Sequence, residues 1–401
     1  MGKYDLVVVG GGIAGTCAAI RASEQDLKVA LIQNRPVLGG NNSSEIRVPM
    51  AGKTRQAPFP KLGEVVEELN KGNDQHKAAL IGVDKNIDLF LEHHMNAIQM
   101  EGTRIKYVFA QHVRTGEKKR FEATLFADCT GDGNLGYLAG ADYRMGRESR
   151  SETGESKAPE KADKVFLGAT LHWKSKRGSK PTSFPTCEWA VQFDEKTCMN
   201  AFGSSWKWEA GYRYDMIKDA ECIRDYLFRV IYSNWAYQKN HVDKFKNAEL
   251  TWMAYVLGKR ESRRLLGDVI VKQQDILEDR KFPDGCVSSS WGIDLHGPDP
   301  KNSKYFPGEE FIAKADHSGK GKQPFVIPYR SFYSRNIDNL FMAGRCISVT
   351  HVAHGHIRVM KTTGTMGEVV GLAASVCKNQ NCTPREVYSE HWEKLVKLFK
   401  E

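Results

Sequence analysis

At 401 residues, 41% hydrophobic and 27% charged, the chain has the balance of a globular protein large enough for two closely packed domains. No apolar run approaches membrane-spanning length, and the net charge of +9 is dispersed, with only small lysine clusters at 174–180 and 314–322, which argues against a membrane protein and a nucleic-acid footprint. Nine scattered cysteines without a Cys-x-x-Cys argue against a structural zinc, an iron–sulfur cluster bound within the chain and a disulfide framework.

Residues 6–9 predict an apolar strand that enters Gly10-Gly-Gly12-Ile-Ala14-Gly15 and then a helix of small residues. Gly10 permits a tight turn, Gly12 lets a pyrophosphate approach the backbone, and Gly15 allows close helix–strand packing. The helix would offer its free N–H groups and positive dipole end to the phosphates. A second strand over 28–32 completes the unit and predicts a dinucleotide site. Where such units usually carry an Asp or Glu, this chain has Gln33, followed by Asn34 and Arg35. A Gln amide can still accept one hydrogen bond and donate another, and losing the carboxylate removes a repulsion against phosphate.

Residues 51–86 mix helical pattern with loop. Alternation over 97–100 and 105–112, joined at Glu101-Gly102, and a third strand over 123–127 ending in Asp128-Cys-Thr130-Gly131-Asp-Gly133, predict a β-meander that feeds back into a parallel sheet. The polar stretch 145–165 reads as a mobile loop. From about 166 to 330 the character changes: seven of the eight tryptophans fall here, helical patterns cover 217–238 and 247–257, and a Pro/Gly-rich loop runs over 292–322. The chain then returns to a buried strand over 339–344, a polar stretch over 346–360 and a helix with Gly364, Gly367 and Gly371 on its small face. Pro384 opens a last amphipathic helix over 385–399. No internal repeat is visible.

The Gly10–Gly15 turn, Arg35-Pro-Val-Leu-Gly39-Gly40-Asn-Asn-Ser43-Ser44-Glu45-Ile-Arg47, Asp128–Gly133, Arg260-Glu-Ser-Arg-Arg264-Leu-Leu-Gly-Asp268, Asn339–Arg345 and His356-Ile357-Arg358-Val359-Met360 occur in this order along nearly the whole chain. Together they resemble the FAD-dependent oxidoreductases of the glutathione-reductase-like superfamily, and more closely the family that includes the flavin subunit of heterodisulfide reductase. The resemblance implies an α/β fold: a Rossmann-like FAD-binding domain of residues 1–165 and 331–401, its parallel sheet carrying the meander, with an inserted α+β substrate domain at 166–330. It also implies that Gly10, Gly12, Ala14 and Gly15 hold the pyrophosphate, that Gln33, Asn34 and Arg35 flank the adenosine, and that Ala97 offers backbone contacts to adenine. Gly39, Gly40, Ser43 and Ser44 would follow the flavin side, Thr130 and Gly131 would pass the phosphates, and Gly344 and Arg345 would meet the ribityl chain. Ile357, Arg358 and Val359 would lie near the flavin ring, where a cationic Arg favours negative charge. The cysteine-rich cluster segments of the heterodisulfide family are missing here, so long electron relay within this polypeptide is not expected.

Oxidation of an alcohol by such a cofactor needs a base for the hydroxyl proton, and imidazole suits that role. Thr350-His351-Val-Ala-His354-Gly-His356 adjoins the expected flavin segment and supplies the first candidates, His351 foremost, with His354 and His356 behind it. His296 in the inserted region is a second. No neighbouring carboxylate completes a metal set with the three histidines, so no metal is expected. In Arg260-Glu261-Ser-Arg263-Arg264, one Glu against three Arg suits a substrate anchor, with Arg264 in a catalytic role, or equally an ion-pair network between domains. The tryptophans suit core packing better than sugar stacking. The expected activity is FAD-dependent hydride abstraction from a polar hydroxylated small molecule such as a sugar or glycoside, with a separate electron acceptor, in a monomer or a homo-oligomer. The alternatives are a flavin electron-transfer component working with a partner protein, and a flavoprotein modifying RNA. A start almost directly on the first strand favours the cytoplasm, or an exported location if the start has been trimmed.

Overall fold

The computed structural model describes residues 3–202, 208–317 and 324–401. Strand β1 (Lys3–Val9) buries Leu6, Val7 and Val8 completely, the pattern of a strand covered on both faces. Helix α1 (Ile13–Ser23) leads from it to β2 (Val29–Ile32), which pairs in parallel with β1. After α2 (Glu64–Asn70) and α3 (Asp74–Gly82), β3 (Ile87–Phe90) adds a parallel strand outside β2. The meander follows as β4 (His93–Glu101), β5 (Arg104–His112) and β6 (Lys118–Asp128). Strand β6 is long enough to belong to both halves of the sheet: its start pairs antiparallel with β5 through Lys118–Glu122, and its remainder runs parallel to β1 up to Asp128. The strand order β3-β2-β1-β6-β5-β4 is the expected parallel sheet with its meander.

The stretch 145–165, expected to be a free loop, is tied down. Arg147 and Asp163 form a β-bridge reinforced by an ion pair, and Arg150–Thr153 is a short helix. Glu148 and Glu155 are buried and hydrogen-bonded by groups remote in the chain, Arg264, Thr350 and Gln273 among them. Composition could not reveal those partners.

A second core lies beyond residue 165. Strand β7 (Trp173–Arg177), helix α4 (Ala220–His241) and β8 (Ala248–Met253), antiparallel to β7, enclose Trp173, Trp208, Trp235, Phe245 and Phe311. Those tryptophans are core, as packing predicts; Trp189 is exposed, and Trp206 lies outside the described residues. The helix expected over 247–257 is instead a strand and loop, because β7 supplies a ladder partner that overrides the local helical pattern. The Pro/Gly-rich loop expected over 292–322 contains the paired strands Leu295–Pro298 and Ala313–Asp316 and the helix Pro300–Tyr305; its end, from 318, is outside the described residues. Val271, Ile276, Cys286, Val287, Ile293, Phe325 and Ile327 pack into the first core.

Strand β9 (Leu340–Met342) closes the sheet by pairing in parallel with the end of β6. The polar stretch after it contains helix α5 (His351–Ile357), capped by Thr350, whose hydroxyl accepts from the Ala353 N–H at 3.2 Å. Helices α6 (Met360–Gln380) and α7 (Pro384–Leu398) finish the chain. A Cβ on Gly367 would stand 2.0 Å from the Ala14 carbonyl oxygen, and one on Gly371 2.5 Å from that of Ala18, so α6 lies with its backbone against α1. The carboxyl ends of β1, β2, β6 and β9 therefore meet where α1 and α6 begin.

Candidate functional site

That junction is a cleft of about 320 Å³. Its floor is the glycine turn. The Gly10 N–H donates to the Ile32 carbonyl at 2.8 Å and the Cys129 N–H to that of Val9 at 2.8 Å, locking three strand ends together. Gly10 has φ +106, and a Cβ there would sit 2.3 Å from the Cys129 oxygen, so the turn requires glycine. Gly15 is closed in as tightly, with the Gly10 oxygen 1.9 Å from its would-be Cβ. Gly12 differs: its Cβ would meet nothing within 4 Å, and its backbone is extended. It faces open space at the start of α1. Gly12 and Ala14 line the cleft, whereas Gly15 supports it from behind.

Gln33, Asn34 and Arg35 line one end. The Gln33 amide is already committed: its Oε1 accepts from the Gly11 N–H at 2.9 Å, and its Nε2 donates to the Val37 carbonyl at 3.2 Å. A carboxylate could accept the first bond but not donate the second, so Gln33 braces the turn. Arg35 is ion-paired with buried Glu45, which also accepts from the Tyr255 hydroxyl at 2.9 Å. Ala97, the expected adenine contact, is exposed on β4 opposite Phe109 and away from the cleft. Strand β4 begins four residues earlier than the alternation suggests, so His93, His94 and Met95 form that wall.

Gly39 and Gly40 line the cleft, but Ser43 and Ser44 do not. Ser43 is buried with an unpartnered hydroxyl, and the Ser44 N–H donates to Asp74. Thr130 and Gly131 lie on the opposite wall, where Asp128 holds the loop by accepting from the Thr130 N–H and hydroxyl and from the Gly136 N–H. Beside them stand two residues that the sequence reading passed over, Asp132 and Lys259. Burial favours the neutral acid at Asp132, but Lys259 and Arg345 outweigh it and hold its carboxyl below the usual range. Val256, Leu257 and Lys259 bring the second core over the cleft, and Gly344 and Arg345 complete the wall.

The other end is formed by Arg358, Met360 and Thr363. Among the described residues, Arg358 is the one member of the network with Asp294, His296 and Glu209 that reaches the cleft wall. Its Nη2 donates to Asp294 Oδ2 at 2.7 Å, and its buried Nε has no partner. Ile357 and Val359 flank it but face the core and Gly52. Asp294 also accepts from His296 Nε2 at 3.1 Å, while His296 Nδ1 donates to Glu209 at 2.7 Å. Two carboxylates can each only accept, so both ring nitrogens must carry protons. Burial alone would lower the His296 pKa, but Asp294 and Glu209 raise it. It is held as a cation without a lone pair, which removes it from the set of bases. Asp294, despite burial, is kept well below the ordinary carboxylate range by His296 and Arg358.

The remaining expected catalytic residues lie behind this wall, none of them on the cleft lining. Arg264 is fully buried between Glu261 and Glu148, at 2.9 and 3.0 Å, and also donates to the Gly146 carbonyl, so it has the ion-pair character of the two readings. His351 Nδ1 donates to Glu261 at 2.9 Å, and its N–H on the backbone donates to Glu148. His354 Nε2 donates to the Arg260 carbonyl at 2.9 Å; burial pushes its pKa down to about 3. His356 packs edge-on to Phe325, and burial lowers it to about 4. Burial opposes ionisation of Glu261, yet His351 and Arg264 hold its pKa down to about 2. The sequence signal for this carboxylate was its place among three arginines; Glu148 and Glu155 gave none.

Residues 5–398 match the family described as FAD dependent oxidoreductase. Over 39 residues the chain is 51% identical to a soluble pyridine nucleotide transhydrogenase of Ectopseudomonas mendocina, covering 10% of this chain and 8% of that protein. Over 65 residues it is 37% identical to an aerobic glycerol-3-phosphate dehydrogenase of Staphylococcus aureus, covering 16% of this chain and 12% of the dehydrogenase. The chain thus matches only a small part of these relatives' length. Among solved structures, a geranylgeranyl bacteriochlorophyll reductase-like protein of Thermoplasma acidophilum aligns at TM-score 0.47 and 14% identity over 100% of this chain and 85% of that one. The glycerol-3-phosphate dehydrogenase of Bacillus halodurans, complexed with FAD, aligns at TM-score 0.27 and 12% identity over 39% of this chain and 44% of that one.

Proposed function

The chain belongs to the FAD dependent oxidoreductase family, and from that premise we propose that it oxidises a polar, hydroxylated small molecule at a secondary alcohol. The cleft fits FAD on its own chemistry. Gly12 leaves open room at the first N–H groups of α1, Arg345 Nη1 and Arg358 Nε are buried without partners, and cationic side chains stand at both the Arg35 and Arg358 ends. The pyrophosphate would lie over Gly10, Gly12 and Ala14, the adenosine toward Gln33, Asn34 and Arg35, and the flavin toward Arg358 and Met360. When bound, FAD would supply hydride-accepting chemistry.

The chain's own part is to orient charge and take the proton. Asp294, itself fixed by the His296 cation, aims Arg358 at the flavin end, where a fixed cation favours negative charge as it develops. The observation that carries the acid–base assignment is the Glu261–His351 pair, which stands behind the cleft wall and would act on a substrate that reaches past Arg358. An ionised carboxylate on Nδ1 fixes the tautomer and leaves Nε2 as the acceptor, the relation of acid to base in hydrolytic triads. His354, kept neutral by burial, is the weaker alternative. The substrate class rests on the hydroxyl-oxidising chemistry and on the partial match to a glycerol-3-phosphate dehydrogenase. The kinship to the heterodisulfide-reductase flavin subunit belongs to the same proposal.

The test is the visible spectrum of the purified protein under anaerobic addition of sugars, glycosides and polyol phosphates. Flavin peaks that bleach with one compound support the reading, and Glu261→Gln should then slow bleaching by about 10²–10⁴ while FAD stays bound. Peaks that bleach only with a protein donor would transfer the assignment to an electron-transfer component.

A further inference from the structure

Helix α6 ends at Asn381, which is left-handed at φ 49 and ψ 49. Beyond it the Cys382 N–H donates to the Cys377 carbonyl at 3.0 Å, and the Asn381 N–H to that of Lys378 at 3.4 Å. These are the 6→1 and 5→2 bonds of a Schellman motif, whose outer pair of residues bring their side chains into contact. That pair is usually apolar; here both are cysteines, which the cap sets side by side.

The two line a surface cavity together with Arg104, Lys378, Asp5 and Glu386. Cys377 is buried and Cys382 half-buried, so one sulfur is accessible and the other waits behind it. Burial raises the Cys377 thiol, whereas the neighbouring Cys377 lowers that of Cys382. Glu386 and Glu390 oppose a thiolate at Cys382 and Lys394 favours it, while Lys378 is engaged by Asp5 at 2.9 Å. Cys17, Cys286 and Cys346 contrast with Cys382: burial, with acidic neighbours adding to it, pushes each thiol far up.

We propose that Cys377 and Cys382 form an oxidisable dithiol site, converted to an intramolecular disulfide by a small-molecule disulfide of the glutathione type. The Cys382 thiolate attacks one sulfur of the incoming disulfide, breaking its S–S bond and releasing one thiolate. Cys377 then attacks Cys382 Sγ in the mixed disulfide and expels the second thiol, its own proton passing to the leaving sulfur. Two protein thiols lose two electrons and two protons, and one disulfide becomes two thiols. The product would clamp the end of α6 across its own cap.

The experiment uses the FAD-loaded protein carrying Cys222→Ser, which removes an exposed thiol, incubated with oxidised glutathione, alkylated and digested with trypsin. Trypsin cuts after Lys378 and Arg385, so the disulfide joins the peptide ending at Lys378 to residues 379–385. The joined pair should dominate, fall apart on reduction and vanish in Cys382→Ser, while Cys377→Ser should accumulate a glutathione adduct on Cys382. Recovery of both cysteines as separately alkylated peptides would overturn the site. So would a mixed disulfide that persists on Cys382 with Cys377 intact.

Discussion

Gly12 and Gly15 occupy the same motif but are glycine for different reasons. Gly15 is enclosed by the Gly10 carbonyl, whereas Gly12 is unstrained and open, so the space it leaves serves a ligand. Gly12→Ala should therefore fold as the parent does, with an unchanged Tm once FAD is stripped, yet bind FAD at least tenfold more weakly, about 1.4 kcal/mol. Gly15→Ala should lower the Tm of the stripped protein itself, since overpacking costs about 1–3 kcal/mol. Equal FAD affinity in Gly12→Ala and the parent would remove the pyrophosphate from this turn. The residue types at the turn were legible because spacing alone constrains them. The commitments of Gln33, Arg264 and His296 were not, because each depends on a partner remote in sequence: Gly11, Glu148 and Glu209 respectively.

At the scale of elements, the small-residue face of α6 announced close packing, and the structure names its partner. Ala at Gly367 would gain about 0.8–1 kcal/mol in helix propensity. Its Cβ would also fall 2.0 Å from the Ala14 carbonyl, a backbone atom that cannot step aside cheaply. The clash should win, so Gly367→Ala is expected to be destabilised by about 1–2 kcal/mol in urea unfolding and, because Ala14 lines the cleft, to bind FAD less tightly. A more stable Gly367→Ala protein would mean the helices are less tightly apposed. Elements with strong periodicity or punctuation, β1, α1, α4 and α7, were readable from the chain. Strand β8 was not: its residues 248–253 fit a helical pattern, and only β7 alongside decides for a strand. The same holds for 145–165, whose two buried carboxylates look like ordinary loop residues until Arg264 and Thr350 are placed beside them.

For the whole molecule, buried histidines govern the response to acid. His354 and His356 have folded pKa values of about 3 and about 4, below the unfolded value of about 6.5. Their depressed values contribute stability above pH 6.5 that is lost as the pH falls toward the folded values, because the unfolded chain binds protons the fold excludes. His296 has the opposite shift; its contribution is complete below the unfolded pKa and adds no slope there. Buried Asp128, Glu155 and Glu368 are raised, so they counteract the loss only as the pH approaches the carboxylate range. Between pH 6.5 and 5 these two histidines contribute a limiting slope of about 2.7 kcal/mol per pH unit, and His172, also lowered by burial, adds in the same direction. Urea midpoints should fall across that interval, and His356→Leu should fall less steeply; parallel curves for the two proteins would mean that His356 titrates normally in the fold.

The sequence by itself determined the parallel sheet with its meander, the glycine turn that makes room for a dinucleotide, and the small-residue helix behind it. Each of these is a local rule of period, φ or side-chain size, and such rules are written in neighbouring residues. Only the tertiary structure decided which charged groups answer one another: that His296 is clamped as a cation, that Arg264 is locked between Glu148 and Glu261, and that Arg358 carries the buried network to the cleft. Ionisation in a low-dielectric interior depends on distances of about 3 Å, and the deciding partners (Glu148 for Arg264, Glu209 for His296, Asp294 for Arg358) stand tens to over a hundred positions away, where no local pattern records them.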